Sequence, residues 1–281
     1  MIITAENNLG EKLVLDRMKF PVVAVDGLTP ATATINTTTI ATVDGSFFNT
    51  SRVNPRNIVL TIVPEGDPEK ARLTLYRYFK TKYPVRLYFK TKYRDVFIDG
   101  YTENVPGNLY DAKQTFQISV ICPQPFFNDV NTVGVKQTTV HNALTFPFKI
   151  PEEGVALGNI EAAYSVNVFN EGDEMTGLRI ILSASGMVSV PTITNRTTGE
   201  KFSIEVEMSE GEKVEIDTRK GHKSIILTRN NGTTQNILNK IVKGSSWFNL
   251  QTGENIFDFT CLHGTDDLQI IYYFNPLYEG V

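Results

Sequence analysis

One stretch limits what this chain can become: Gln117–Asp129, QISVICPQPFFND. Phe116, Ile118 and Val120 fall on one face of its first half, with Thr115, Gln117 and Ser119 on the other. That period of two predicts a half-buried strand. The second half cannot continue a sheet. Pro123 and Pro125 lack the N–H that a ladder needs, and each pushes its predecessor into an extended conformation. Phe126 and Phe127 then require a place to bury. Cys122, Pro123, Pro125, Phe126 and Phe127 therefore read as a domain hinge that is packed down. Before the hinge the sequence predicts one helix among strands; after it, strands and almost no helix.

With 281 residues the chain exceeds what one core usually serves, so two domains are expected. The organisation read from the sequence is an N-terminal domain over 1–130, a polar connector over 131–158 and a C-terminal β-sandwich over 159–281. The last strand or tail is free to pack back on the N-terminal domain. Hydrophobic content of 41% and charged content of 21% argue against disorder. A net charge of −4 argues against a chain that binds nucleic acid through its overall charge. The two cysteines, Cys122 and Cys261, read as small buried hydrophobes, too few for a disulfide framework or a thiolate zinc site. The first residues lack the pattern of a signal peptide, and no apolar run is long enough to span a membrane. The expectation is synthesis in a cytoplasm without membrane insertion. The N-x-[ST] triplets at Asn36, Asn49, Asn195 and Asn231 then read as chance matches.

Leu13–Leu15 and Val22–Val25 read as short strands, followed by a threonine-rich segment over Thr29–Thr42 that suits an edge strand or an extended arm. Phe47 and Phe48 lie in a polar surrounding, as core anchors (the favoured reading) or as part of a partner surface. Ile58–Val63 is apolar on both faces and predicts a strand buried on both sides. The helix signal begins at Asp67-Pro68, a good N-cap followed by proline at the first helical position. Leu75, Tyr76 and Phe79 recur at helical spacing until Pro84 stops them. The hexapeptide YFKTKY occurs at Tyr78–Tyr83 and again at Tyr88–Tyr93, too short a match for a repeat architecture. Val85, Leu87 and Phe89, then Val96 and Ile98, complete an antiparallel meander leading into the hinge strand.

Past the hinge, Phe146-Pro147-Phe148 and Ile150-Pro151 are anchors in the connector. Short strands with turns between them follow from Tyr164. Lys201–Met208 is the clearest, with Phe202, Ile204, Val206 and Met208 inward. Further strands are expected over Val188–Ile193, Ile237–Val242 and Trp247–Leu250, and Asn231-Gly232 is a hairpin signal. This pattern predicts an antiparallel β-sandwich. The fold class is mainly β throughout.

Chemistry is hard to place. His141, His222 and His263 stand alone, without the spacing of a zinc hydrolase. There is no G-x-S-x-G elbow and no phosphate-binding glycine loop with its lysine. Glu205, Glu207, Glu215 and Asp217 read as the solvated face of amphipathic strands. No catalytic residue, metal site or cofactor is predicted, and the chain is not read as an enzyme. The electrostatic anomaly is Lys70–Arg94, which holds nine Lys and Arg residues and no acid. The favoured reading is a helix and hairpin with charged outer faces. Contact with an acidic neighbouring subunit, or a stacking surface for single-stranded nucleic acid, are the alternatives.

Several stretches in order resemble the distal tail proteins of long-tailed bacteriophages and prophages. They are Asp44-Gly45, Pro55-Arg56-Asn57-Ile58-Val59-Leu60, a short helix, and Ile121-Cys122-Pro123-Gln124-Pro125-Phe126-Phe127. In the second half they are Thr194–Glu200 (TNRTTGE), Ile216-Asp217-Thr218 and Trp247–Asn255 (WFNLQTGEN). The resemblance implies a structural hub of the phage tail tip, a virion protein made in the host cytoplasm. It implies a homo-oligomer, a hexameric ring built by the N-terminal domain, with a galectin-like C-terminal sandwich at the periphery. Its partners would be tail tube and tape-measure proteins and tail-associated or adhesion proteins, without specific nucleic-acid binding. A ring needs one patch docking on a different patch of its neighbour; Phe47, Phe48, Arg86, Lys90, Lys92 and Arg94 are the candidate subunit-interface residues. The alternative is a carbohydrate-binding module that attaches to host cell-wall glycan through the C-terminal sandwich. Trp247, the single Trp, reads as core rather than as a sugar platform.

Overall fold

The computed structural model describes residues 1–42, 44–111, 113–138 and 165–281. The chain divides into two units, Met1–Asn131 with Leu277–Val281, and Thr132–Pro276. Every strand ladder between named strands is antiparallel.

The first unit contains β1 (Ile2–Glu6), β2 (Lys12–Leu15), β3 (Val22–Asp26), β4 (Ala33–Thr38), β5 (Phe47–Val53), β6 (Arg56–Ile62), α1 (Pro68–Tyr78), β7 (Pro84–Lys90), β8 (Asp95–Asn104), β9 (Phe116–Cys122) and β10 (Phe127–Asp129). Its main sheet runs β2-β1-β7-β8-β9-β6-β3, with β10 pairing on β8. Alternation along each strand sends Ile58, Leu60, Ile62, Leu87, Phe89, Ile118 and Val120 to one face, all fully buried. The reading of β6 as buried on both sides is corrected: Asn57 is exposed and Val59 and Thr61 half-buried, because only one face of this sheet is covered.

α1 packs onto the same cluster through Ala71, Leu75 and Phe79. The Asp67 carboxylate accepts the N–H groups of Glu69 and Lys70 at 3.0 and 3.2 Å, and Pro68 occupies the first turn without wasting a donor. Tyr76, expected on the apolar stripe, is 39% exposed with its ring edge-on to Phe116; Ala71, one turn ahead of Leu75, is the buried residue of the stripe.

The second unit contains β11 (Val133–Thr138), β12 (Ser165–Asn170), β13 (Arg179–Ala184), β14 (Val188–Ser189), β15 (Thr192–Asn195), β16 (Glu200–Ser203), β17 (Glu207–Met208), β18 (Lys213–Asp217), β19 (Ser224–Thr228), β20 (Thr234–Asn236), β21 (Gly253–Thr260) and β22 (Leu268–Phe274). A six-stranded sheet, β11-β22-β13-β18-β19-β20, and a four-stranded sheet, β12-β21-β15-β16, share one hydrophobic cluster. The aromatic chain Phe202–Phe248–Phe257–Tyr272 runs through it with centroid separations of 6.1, 5.4 and 4.8 Å. Buried Gln137 links the sheets: Tyr272 donates to its Oε1 at 2.7 Å, and its Nε2 donates to the Phe257 carbonyl at 3.0 Å.

Several expected strands come out differently. Val133–Thr138, within the expected connector, is a full strand paired with β22; residues 139–158, with both Phe-Pro-Phe and Ile-Pro anchors, lie outside the described residues, as does His141. Lys201–Met208 keeps its alternation but splits into β16 and β17. The cause sits opposite: Val190 has φ of 49° and precedes Pro191, which has no N–H to donate, so the partner strand breaks there. Val188–Ile193 is interrupted at the same point. Ile237–Val242 contains a 3₁₀ turn, Leu238–Lys240, and Trp247–Phe248 is irregular, with Leu250 bridging Thr176.

Candidate functional site

Among the described residues, no three His, Cys, Asp or Glu side chains gather as metal ligands. Cys122 is fully buried, and burial pushes its thiol up to about 12; Cys261 is pushed up to about 11 for the same reason. Neither is a thiolate near neutral pH. A concavity of about 390 Å³ along the exposed side of α1, lined by Asp67, Lys70, Leu73 and Arg77 among others, opens widely to solvent. Trp247 is half-buried, with Phe202 4.9 Å from its ring and Lys223 Nζ 5.3 Å from the centroid, so its ring offers no open sugar platform.

The distinctive surface is β4–β5. These two strands pair only with each other, and all thirteen of their residues are exposed. Pairing runs Ala33–Val53, Ile35–Ser51 and Asn36–Thr50, then shifts by one residue to Thr37–Phe48 and Thr38–Phe47. The bulge brings Phe48 to the same face as Ile35 and Val53, while Phe47 points to the other. Phe47 and Phe48 are 56% and 64% exposed, and Ile35 58%. The core reading of the two phenylalanines is thus corrected: the strands carrying them pair with no other strand, and both side chains are exposed. Two isolated strands are marginal in water, and this pair exposes its largest apolar side chains.

The cations of Lys70–Arg94 are spread over distinct settings. Arg86 and Asp99 face each other across β7 and β8, joined at 2.6 and 2.9 Å; Lys90 and Asp95 do the same at 2.7 Å. Arg77 pairs with Glu11, and Arg72 with Glu69. Lys92 is exposed with its Nζ 5.1 Å from the Tyr93 ring centre. Arg94 donates to the Gly280 carbonyl and lies 4.2 Å over the Tyr278 ring. Local acids on neighbouring strands thus meet several of these charges, which the sequence, blind to strand register, leaves as one block.

What sequence reasoning missed is Arg56, packed beside the hinge. Phe127 is fully buried, its ring 5.8 Å from Phe89 in an edge-to-face contact; Pro125 is buried, Phe126 half-buried and Pro123 exposed. Over the other side of Phe127 sits Arg56, 3% exposed, 4.6 Å from the ring centroid. Its guanidinium donates to four backbone carbonyls: Pro125 at 2.6 Å, and Gly27, Thr29 and Glu279 at 2.5 Å each. A buried guanidinium without a bonded carboxylate is tolerated because four of its five N–H donors meet carbonyls. Burial lowers its pKa, from a value so high that it stays charged. The returning segment carries β23 (Leu277–Tyr278), which pairs with β10. The available signal was an arginine heading an apolar strand directly after a proline, a place where a charged side chain must find buried acceptors.

Residues 171–275 match the family model described as the siphovirus-type tail component, C-terminal domain. No curated protein sequence matches the chain. Among solved structures, the SPP1 Dit (gp 19.1) protein, described as a paradigm of the hub adsorption apparatus in phages infecting Gram-positive bacteria, superposes with a TM-score of 0.70 and 16% identity. The match covers 98% of this chain and 99% of that one. A chain of the phage p2 baseplate in its activated conformation, solved with Ca and with Sr, matches with a TM-score of 0.55 and 12% identity over 97% of both chains. The C-terminal unit of this chain thus matches the siphovirus-type tail component C-terminal domain family, and along nearly its whole length the chain has the fold of the SPP1 Dit protein.

Proposed function

We propose that this protein is a structural subunit of a phage tail tip, without catalytic activity, that assembles with copies of itself into a closed ring, a hexamer. The ring would join the tail tube and tape-measure proteins on one side to tail-associated or adhesion proteins on the other. The family match and the hub and baseplate fold support the setting. The observation that carries the assembly reading is the arm: β4–β5 exposes Ile35, Phe47 and Phe48 on strands too few to be stable alone. A patch of that kind on one copy, docking on a different surface of the next, is the heterologous contact from which rings close.

The arm is preferred over the basic block as the main contact. Arg86 and Lys90 already have partners on β8, so breaking those pairs to reach a neighbour returns little. Arg94 is engaged by Gly280 and Tyr278, which leaves exposed Lys92 as the contributor from this block. Light scattering on the full chain tests this. Phe47→Ala with Phe48→Ala is expected to shift the assembly to smaller species, whereas Lys90→Glu with Lys92→Glu is expected mainly to increase salt sensitivity. An assembly indifferent to the loss of both phenylalanines overturns the arm as the contact.

A further inference from the structure

The arm's root is held from two places, by Arg56 at the head of β6 and by the chain's last described residues, more than two hundred positions away. The segment joining β3 to β4 presents three successive carbonyls, each with a donor. Arg56 donates to Gly27 and Thr29, and the Val281 N–H donates to Leu28 at 3.1 Å. Gly27, at φ of 86°, lies so close to β6 that an added Cβ would stand 2.1 Å from the Asn57 carbonyl. Gly280 is closely packed from the other side, where a Cβ would stand 3.0 Å from the Leu28 carbonyl and 3.5 Å from Pro30 Cδ. The returning segment is itself fixed. Glu279 accepts from Arg56, Gly280 accepts from Arg94, and β23 continues the sheet along β10. At the arm's other base strand, the Asn54 N–H donates to Thr32 at 2.9 Å, and Arg56 follows two residues later.

We propose that Leu277–Val281, acting with Arg56, is the positioning element that sets the direction of the β4–β5 arm. The first unit then presents an assembly-competent arm only once the chain has returned from the second unit. The guanidinium reads three backbone segments at once: the arm's root, the exit at Pro125 and the return at Glu279. A hairpin hinged on single bonds at Leu28–Thr32 would otherwise sweep a cone of directions and meet a neighbour at a large entropic cost. Clamping Gly27, Leu28 and Thr29 in one place removes that freedom before assembly. Arg56 is therefore a positioning residue for the interface and does not touch the neighbour itself. The role of the clamp in assembly rests on the ring reading above; its effect on the arm does not.

The test separates the two. Amide hydrogen exchange is measured on the full chain carrying Phe47→Ala and Phe48→Ala, so that assembly contributes no protection. Deleting 277–281, or replacing Arg56 by Gln, is expected to speed exchange across 28–38 and 47–54 by about tenfold or more, with β7 and β9 unchanged. Should those variants unfold the first unit, Val281→Pro decides, since it removes one donor to Leu28; faster exchange is then expected over 28–38 alone. Unchanged exchange in the arm overturns the proposal. A second readout is assembly in the chain with both phenylalanines restored. Loss of the ring in the clamp variants supports coupling to assembly, and intact rings with a loosened arm overturn that coupling. A wild-type chain that forms no ring, while clamp variants loosen the arm, sinks the ring reading and leaves the clamp standing.

Discussion

Phe127→Ala is the sharpest test of how the hinge is held. The side chain is completely buried between Phe89 and Arg56, so truncation removes the whole ring from a packed site. A buried Phe→Ala change costs about 3–5 kcal/mol through lost transfer energy and the cavity left behind. The upper half of that range is expected, because Arg56 lies against the ring and its four carbonyl contacts fix it in place, which limits collapse into the void. In a unit of this size each kcal/mol lowers the midpoint by roughly 3 °C, so the first unit's transition should fall by roughly 12–15 °C. Phe126, half-buried beside it, should cost about half as much. Thermal unfolding can be followed by circular dichroism, with the single Trp, Trp247, reporting separately on the second unit. A shift below about 2 °C, or a larger effect from Phe126→Ala than from Phe127→Ala, refutes the packed-hinge argument.

Two further expectations concern the sandwich. Tyr272→Phe removes the donor to Gln137 Oε1 inside the core and is expected to cost about 1–3 kcal/mol, read by urea unfolding of the Trp247 signal. Asp217 is held below its ordinary pKa by bonds from the Arg219 side chain and backbone N–H, which outweigh the opposing effect of burial. A depressed folded pKa gives stability that is present above the unfolded value and is lost as pH falls through the folded one. Wild type should therefore lose stability progressively below about pH 4, and Asp217→Asn should show a flatter acid limb; identical limbs would remove Asp217 from the account.

The sequence carries the fold where physics is local. Proline and aspartate announce α1, and period-two alternation yields β7, β8 and β9. It fails where a distant partner decides. Lys201–Met208 reads as one strand because its own alternation is unbroken, and only the positive φ at Val190, across the sheet, divides it. Phe47 and Phe48 read as core because two adjacent phenylalanines normally bury; nothing local says that β4–β5 stands apart from the main sheet. The basic block looks uniform because Asp95 and Asp99 neutralise Lys90 and Arg86 through register rather than proximity in sequence. Arg56 is the extreme case, with acceptors at positions 27, 29, 125 and 279 that no window along the chain could gather.

The most direct measurement is electron microscopy of the purified full chain beside its Phe47→Asp, Phe48→Asp variant. The account predicts closed six-fold rings for the wild type, with a mass near six times the 31.4 kDa chain, and small open species for the variant. Wild-type particles that stay at the mass of one chain, or variant rings that close as well as wild type, would contradict it.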